Sequence, residues 1–484
     1  MPLASIIQGG MGVGVSNWRL AQAVSRLGQL GVVSGTALDQ LFVRRLADGD
    51  PGGHMRRGLD AFPFPQMARR IWQEYFVPGG KPATTPYPTA PMHQRLEPRR
   101  LVELCMVSNF VEVFLAREGH DNPVGINFLE KVQLPHLASL YGAMLAGVGF
   151  VLMGAGIPLH IPAVLDAYAA HRPASYKLAV TGAAAGQDSL MRLDPAAYID
   201  GPLPVLQRPQ FIAIVSSNTL ASTMIRRASG RVDGLVIEGA TAGGHNAPPR
   251  GKLQLTAAGE PLYGERDCVN LAELRALGIP FWLAGGYGSS GKLQYALDEG
   301  AAGIQVGTAF AFCEESGLRP DLKRQLLAKA LEGSGRIFTD PLASPTGFPF
   351  KIAQLEGTSS TPEVYEQRTR VCDLGYLREP YVMPDGRIGY RCAAEPVATY
   401  VAKGGREEDT VGRKCLCNAL MANVGHPQTR KNGSVEPPLV TAGDDLNTIA
   451  GFLAPGRHSY SAADVVQALL GALPASLQQT GRRA

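Results

Sequence analysis

Short apolar runs, rich in β-branched side chains, recur along the chain, and each ends in glycine or a small polar residue. Eight stand out: Ile6 to Gly9, Gly31 to Ser34, Val124 to Phe128, Phe150 to Met153, Phe211 to Val215, Gly234 to Ile237, Phe281 to Ala284 and Gly303 to Val306. Their apolarity is nearly continuous rather than alternating, as strands buried on both faces require. Most lead into a helical pattern, so they read as βα units around a parallel sheet. Eight such units predict an α/β fold, a closed (β/α)8 TIM barrel. The intervening helices carry their own signals. Ser16 is placed to cap a helix in which Leu20, Val24 and Leu27 share a face, with Gly28 as its left-handed terminator. After the seventh run, Ser290 precedes Leu293 and Leu297, and Gly300 ends that turn.

Two spacings are too long for simple crossovers, which places insertions after strands 2 and 4, at about 37–122 and 172–210. The proline-rich stretch from Gly79 to Pro98 in the first reads as an extended loop or lid, and Tyr176 to Val180 in the second as a small extra strand. The barrel is expected to occupy residues 1–355. From residue 356 to 484 the pattern changes to mixed loops and short helices bearing four cysteines, a C-terminal extension.

Composition narrows the function. The 45% hydrophobic and 18% charged residues suit a folded globular chain. With 46 basic and 42 acidic residues, mostly scattered, a nucleic-acid partner is not expected. The longest apolar stretch, Leu145 to Leu165, is broken by glycines and prolines, so no membrane span is expected. The start of the chain shows no secretory pattern, and a cytoplasmic protein is expected. Seven cysteines point to reduced thiols or metal ligands rather than a disulfide scaffold. The 57 glycines are in excess, and they gather at predicted strand ends.

In a (β/α)8 barrel the active site forms at the C-terminal ends of the strands, and the loops after strands seven and eight commonly bind a phosphate. Gly285 and Gly286 close strand seven, and Gly307 with Thr308 closes strand eight. Either pair alone fits a tight turn; together, on adjacent strands, they favour phosphate binding. After strand six, Gly243, Gly244 and His245 set an imidazole at the barrel mouth, able to exchange a proton near neutral pH. Gly10, Met11 and Gly12 end strand one, and Ser34 and Gly35 end strand two, where small groups can line the face and edge of an isoalloxazine ring. Asn127 on strand three offers a donor and an acceptor.

The ordered motifs QGGMGVGVS, VVSG, VGINF, VLMGAGIP, EGATAGGH, LAGGYG and IQVGTAF resemble the nitronate monooxygenase family, formerly the 2-nitropropane dioxygenases. They also resemble its relatives, the FMN-dependent enoyl reductases. The resemblance covers roughly residues 3–350. It implies FMN, with its phosphate near Gly285, Gly286, Gly307 and Thr308, its ring near Met11, Gly12 and Asn127, and His245 as the catalytic histidine. The expected reaction is oxidation of alkyl nitronates or nitroalkanes with O2 to carbonyl compounds and nitrite. The alternative is an NAD(P)H-dependent enoyl-thioester reductase. The long insertions, Tyr176 to Val180 and the run Asn246 to Arg250 look more like trans-acting enoyl reductases of polyketide and polyunsaturated fatty-acid pathways. A non-redox phosphate-binding barrel enzyme is a third reading. The expected partner is a small-molecule or acyl-thioester substrate, with a homodimer among the expected assemblies.

In the extension, Cys372, Cys392, Cys415 and Cys417 lie close in sequence, and a Cys-x-Cys pair can supply two thiolates to one metal. Four thiolates suit zinc or an iron–sulfur cluster. Four buried, inert thiols are an equal expectation.

Overall fold

The computed structural model of the chain describes residues 3–184, 189–199 and 201–471. Eight parallel strands form one sheet: β1 (Ile6–Gln8), β2 (Gly31–Ser34), β3 (Val124–Leu129), β4 (Phe150–Gly154), β5 (Gln210–Val215), β6 (Gly234–Glu238), β7 (Phe281–Ala284) and β8 (Gly303–Val306). Their ends fall within one residue of the eight apolar runs. Neighbours follow the order β1, β8, β7, β6, β5, β4, β3, β2, in registers such as Ile6 against Ile304 and Ser34 against Asn127. The ring closes beside β2: the Gln8 N–H donates to the Leu30 carbonyl at 2.9 Å, and the Leu30 N–H to the Ile6 carbonyl at 3.0 Å. The fold is therefore a (β/α)8 barrel.

Period-two alternation divides each strand between two apolar environments. Ile7, Val32, Leu152, Ile212, Val236 and Trp282 meet inside the barrel, where the Trp282 indole N–H donates to the Ala4 carbonyl at 2.8 Å. Their neighbours, such as Ile6, Val33, Val151 and Leu235, join the core formed with the surrounding helices. This double burial is the physical reason the runs could be read as strands.

Two helix starts differ from expectation. The helix Trp18–Arg26 is capped by Asn17, whose backbone is extended and whose side chain accepts from the Leu20 N–H at 3.0 Å. Ser16 is instead spent inside the loop after β1. The helix Lys292–Asp298 begins after Gly291, which is left-handed at φ +79°, so Ser290 is not its cap. Gly28 and Gly300 take the left-handed terminator conformation as expected.

The first insertion holds four helices, Leu38–Ala47, His54–Asp60, Pro65–Tyr75 and Arg99–Arg117, and residues 79–98 contain no helix or strand. Arg99–Arg117 is buried almost throughout and packs on the helix His136–Leu145 and on β2 and β3, so it serves as the crossover helix between those strands. The second insertion contains an antiparallel hairpin, Ala174–Lys177 with Leu190–Leu193. The strand expected at Tyr176 to Val180 thus begins and ends earlier. Its register pairs buried Tyr176 with buried Met191, and pairing ends at Lys177 with Leu190.

The hairpin Ile337–Asp340 with Phe350–Ala353 follows the last crossover region. Beyond it come a second hairpin, Glu379–Val382 with Ile388–Arg391, and short helices. The last described helix, Ala462–Gly471, returns to the barrel and packs against both Trp18–Arg26 and Lys292–Asp298. It fills the eighth place in the outer ring. The chain on either side of residue 356 is therefore interleaved in one structure, and a boundary there separates no independent core. Residues 472–484 of the expected extension lie outside the described residues. Among the described residues, no helix is long and apolar enough to cross a membrane.

Candidate active site

At the C-terminal ends of the strands lies a cavity of about 590 Å3, within the range of cofactor sites. Its floor begins with the loop after β1. The Ser16 hydroxyl accepts from the Met11 N–H at 2.8 Å and donates to the Gly9 carbonyl at 2.9 Å, which shapes Gly10, Met11 and Gly12 against the cavity. A Cβ at Gly10 would stand 2.2 Å from Asn127 Oδ1, so only glycine admits the Asn127 side chain there. Asn127 Oδ1 on β3 and Gln305 Oε1 on β8 are buried, line the cavity and have no protein partner. A buried acceptor without a donor costs about 1–3 kcal/mol, so both call for donors from a ligand.

Ser34 and Gly35 do not line the cavity; Thr36 and Ala37, just beyond them, do. The Gly35 N–H donates to the Asn127 carbonyl at 2.8 Å, and a Cβ at Gly35 would stand 2.2 Å from the Phe128 ring. Gly35 thus makes room for packing, and Ser34 is buried beneath it in β2. The expectation that these two touch a cofactor is corrected accordingly.

The Gly243–Gly244–His245 loop lines the same cavity and is held from both sides by late parts of the chain. The Gly244 N–H donates to Thr441 Oγ1 at 2.8 Å, and the Lys351 N–H to the Gly244 carbonyl at 2.9 Å. A Cβ at Gly243 would stand 2.8 Å from the Ala442 backbone. His245 Nε2 sits 2.7 Å from Ser344 Oγ, and its ring meets that of Phe350 edge-on, 4.9 Å between centroids. Burial, reinforced by the Lys131 ammonium, pushes the imidazole pKa down to about 4. His245 is neutral at pH 7 and a weak base.

Gly285 and Gly286 adopt φ of +88° and +71°, and with Gly307 and Thr308 they line the far end of the cavity. Sequence reasoning missed a carboxylate at that end. Asp445 accepts from Thr308 and from the Gly288 N–H, while its Oδ1 has no protein partner, and burial raises its pKa. No local signal marked it, because it arrives more than a hundred residues after β8. A second missed group, Glu238, was legible in principle as a carboxylate closing an apolar strand at the barrel mouth. It lines the cavity, and burial raises its pKa to about 7.

Cys372, Cys392, Cys415 and Cys417 come together around a second, small apolar cavity. All four are free, and no three of their sulfurs lie within 4.8 Å of one another. A zinc ion with 2.3 Å bonds to sulfur holds its ligands about 3.8 Å apart, so the zinc expectation does not fit this spacing. Among the described residues the one trio of close ligand atoms is Asp39, His93 and Cys105. That trio is internally satisfied: His93 lies between Asp39 and Glu97, and the Tyr376 hydroxyl donates to Asp39.

The sequence profile of the family described as nitronate monooxygenase matches residues 204–337. That segment spans β5 to β8 and holds the Gly-Gly-His loop and both glycine-marked strand ends. Over this segment the chain is similar to the nitronate monooxygenase family. A probable nitronate monooxygenase of Bacillus subtilis is 33% identical over 114 residues, 24% of this chain and 31% of that protein. A hydroxy-methyl-oxo-octahydro-indene carboxyl-CoA dehydrogenase of Rhodococcus jostii is 29% identical over 121 residues, 25% of this chain and 30% of that one. The chain thus spans about a third of the length of these curated relatives. Among solved structures, FabK from Thermotoga maritima aligns with a TM-score of 0.48 at 15% identity, over 99% of this chain and 95% of that one. A nitroalkane oxidase from Streptomyces ansochromogenes aligns with a TM-score of 0.44 at 17% identity, over 99% and 97%. The nitronate monooxygenase match leaves Gly10 to Gly12, Asn127 and the four cysteines outside its limits.

Proposed function

We propose that the chain is an FMN-dependent oxidoreductase that reduces the double bond of an enoyl thioester, with NAD(P)H as its reductant. The observation that carries the reading is that one cavity is lined both by Glu238, a carboxyl whose pKa burial raises to about 7, and by His245, a histidine held neutral. FMN supplies hydride transfer when bound. Asn127, Gln305 and the backbone from Gly10 to Gly12 are suited to hold its ring, because the two side-chain oxygens are buried acceptors that need donors. Gly285, Gly286, Gly307 and Thr308 are suited to its phosphate. Asp445 also lines this cavity, with one buried carboxyl oxygen that has no protein partner.

Reduction of a polarised alkene needs a proton at the carbon next to the thioester carbonyl. Glu238, with its pKa near 7, keeps a protonated fraction at neutral pH and can deliver it. The neutral His245 can donate a hydrogen bond to the thioester carbonyl from the nitrogen that Ser344 does not engage.

A second reading, oxidation of alkyl nitronates with O2, is favoured by the family match over residues 204–337. A nitronate is already deprotonated, so a weakly basic His245 suffices for it, whereas a neutral nitroalkane would require a stronger base.

The test is an absorption spectrum of the purified protein without oxygen. On the reductase reading, an oxidised flavin spectrum bleaches on NADPH and returns on adding a crotonyl thioester. Bleaching by a nitronate and not by NADPH would establish the second reading instead. Absence of flavin after incubation with FMN would overturn both.

A further inference from the structure

Three side chains that the proposed reaction does not use converge within the first insertion. Asp39 lies on the helix Leu38–Ala47, His93 on the irregular stretch 79–98 and Cys105 on the helix Arg99–Arg117. Each is at most 2% exposed. His93 Nε2 stands 3.1 Å from Asp39 Oδ2 and 3.8 Å from Cys105 Sγ, and all three atoms lie within 4.8 Å of one another. The four C-terminal cysteines do not meet that condition.

The spacing is that of ligands around one small ion. Zinc bonds nitrogen and oxygen at about 2.0 Å and sulfur at about 2.3 Å, so a tetrahedral site holds an N–O pair about 3.3 Å apart and an N–S pair about 3.6 Å apart. The two separations found here, 3.1 and 3.8 Å, each lie about 0.2 Å from those values. A thiolate, an imidazole and a carboxylate together suit zinc, whereas calcium and magnesium take oxygen ligands.

The groups behind these atoms are independent support. The far ring nitrogen of His93, Nδ1, is hydrogen-bonded to Glu97, itself buried, and the far oxygen of Asp39, Oδ1, accepts from the Tyr376 hydroxyl. A carboxylate on the far nitrogen fixes the tautomer and strengthens an imidazole as a metal ligand. Both contacts leave Nε2 and Oδ2 turned toward Cys105. A proton on Nε2 satisfies Asp39 in the metal-free chain, so proton and ion compete for one position. Binding displaces that proton and the Cys105 thiol proton.

We propose that Asp39, His93 and Cys105 bind one zinc ion in a structural site, with the second Asp39 oxygen or a water completing the coordination. The stretch 79–98 contains no helix or strand, and His93 is buried within it. The ion ties that stretch to two helices of the insertion. The assignment stands without the flavin reading, because none of its three ligands lines the main cavity.

The test uses the whole chain, produced with added zinc and purified without chelator. Metal analysis is expected to find about one zinc per chain, lost from Cys105→Ala and from His93→Gln. Cys415→Ala with Cys417→Ala keeps it. Cobalt supplied in place of zinc reads the ligands without touching them: in that double variant it is expected to give a thiolate-to-cobalt charge-transfer band and the visible bands of a tetrahedral ion. Neither zinc nor cobalt bound above background overturns the proposal. So does a full equivalent of zinc retained in Cys105→Ala, zinc lost with Cys415 and Cys417, or cobalt bound without a thiolate band.

Discussion

His245 Nε2 lies 2.7 Å from the hydroxyl of Ser344, a residue 99 positions later on the loop that joins the strands of the Ile337–Ala353 hairpin. Ser344 Oγ in turn meets Thr346 Oγ1 at 2.8 Å. The contact engages one imidazole nitrogen and leaves the other for the cavity. Since the ring is neutral above a pKa of about 4, its orientation rather than its charge is what this contact sets.

His245→Ala is therefore expected to retain bound flavin and lose turnover by about 100-fold or more. Ser344→Ala, which frees the ring without removing it, is expected to lose about tenfold, with the flavin content again unchanged. Steady-state rates alongside flavin stoichiometry check both. Undiminished turnover in His245→Ala would show the Gly-Gly-His loop to be structural.

Glu238 makes a prediction about stability and pH. Its folded-state pKa is raised from 4.5 to about 7, so between those values the folded chain binds more protons than the unfolded one. Stability then falls as pH rises through that window and levels off above it. Glu238→Gln removes the penalty. The variant is expected to match the parent near pH 4 and to exceed it above pH 8 by up to about 3 kcal/mol, measured by urea unfolding. A pH-independent difference would mean that the carboxyl is not buried in its ionised form.

Gly10→Ala probes the cavity floor. The new Cβ would stand 2.2 Å from Asn127 Oδ1, which must then swing away from its place. FMN affinity, followed by fluorescence on titration, is expected to fall at least about tenfold, a cost of about 1.4 kcal/mol. Unchanged affinity would remove Asn127 from the binding set.

Leu469, 1% exposed on the helix Ala462–Gly471, tests whether that helix belongs to the barrel. Leu469→Ala is expected to lower global stability by about 2–4 kcal/mol in one cooperative transition. A separate early transition, with the rest of the chain unaffected, would mark the C-terminal region as its own unit.

The barrel was legible because its strands are buried on both faces, and that leaves an unambiguous mark in runs such as Gly31–Ser34 and Phe281–Ala284. Asn127 was legible because it lies within such a run, and His245 and the glycines at 243, 244, 285 and 286 because they come soon after one. What failed was finer or more distant. Ser16 and Asn17 are both good caps, and only the backbone path decides between them. Gly35 gives no sign of whether its missing side chain admits a ligand or, as here, the Phe128 ring. Ser344, which contacts His245, and Thr441 and Asp445, which line the cavity, come from chain far removed in sequence, so no local pattern could place them there.

The return of Ala462–Gly471 to the gap between Trp18–Arg26 and Lys292–Asp298 also orders events during synthesis. All eight strands have been made by residue 306, yet the flanks of the first and seventh ring helices stay uncovered until the ribosome has added about 150 more residues. A nascent chain halted in that interval presents open apolar surface, the condition that recruits chaperones and invites association between chains.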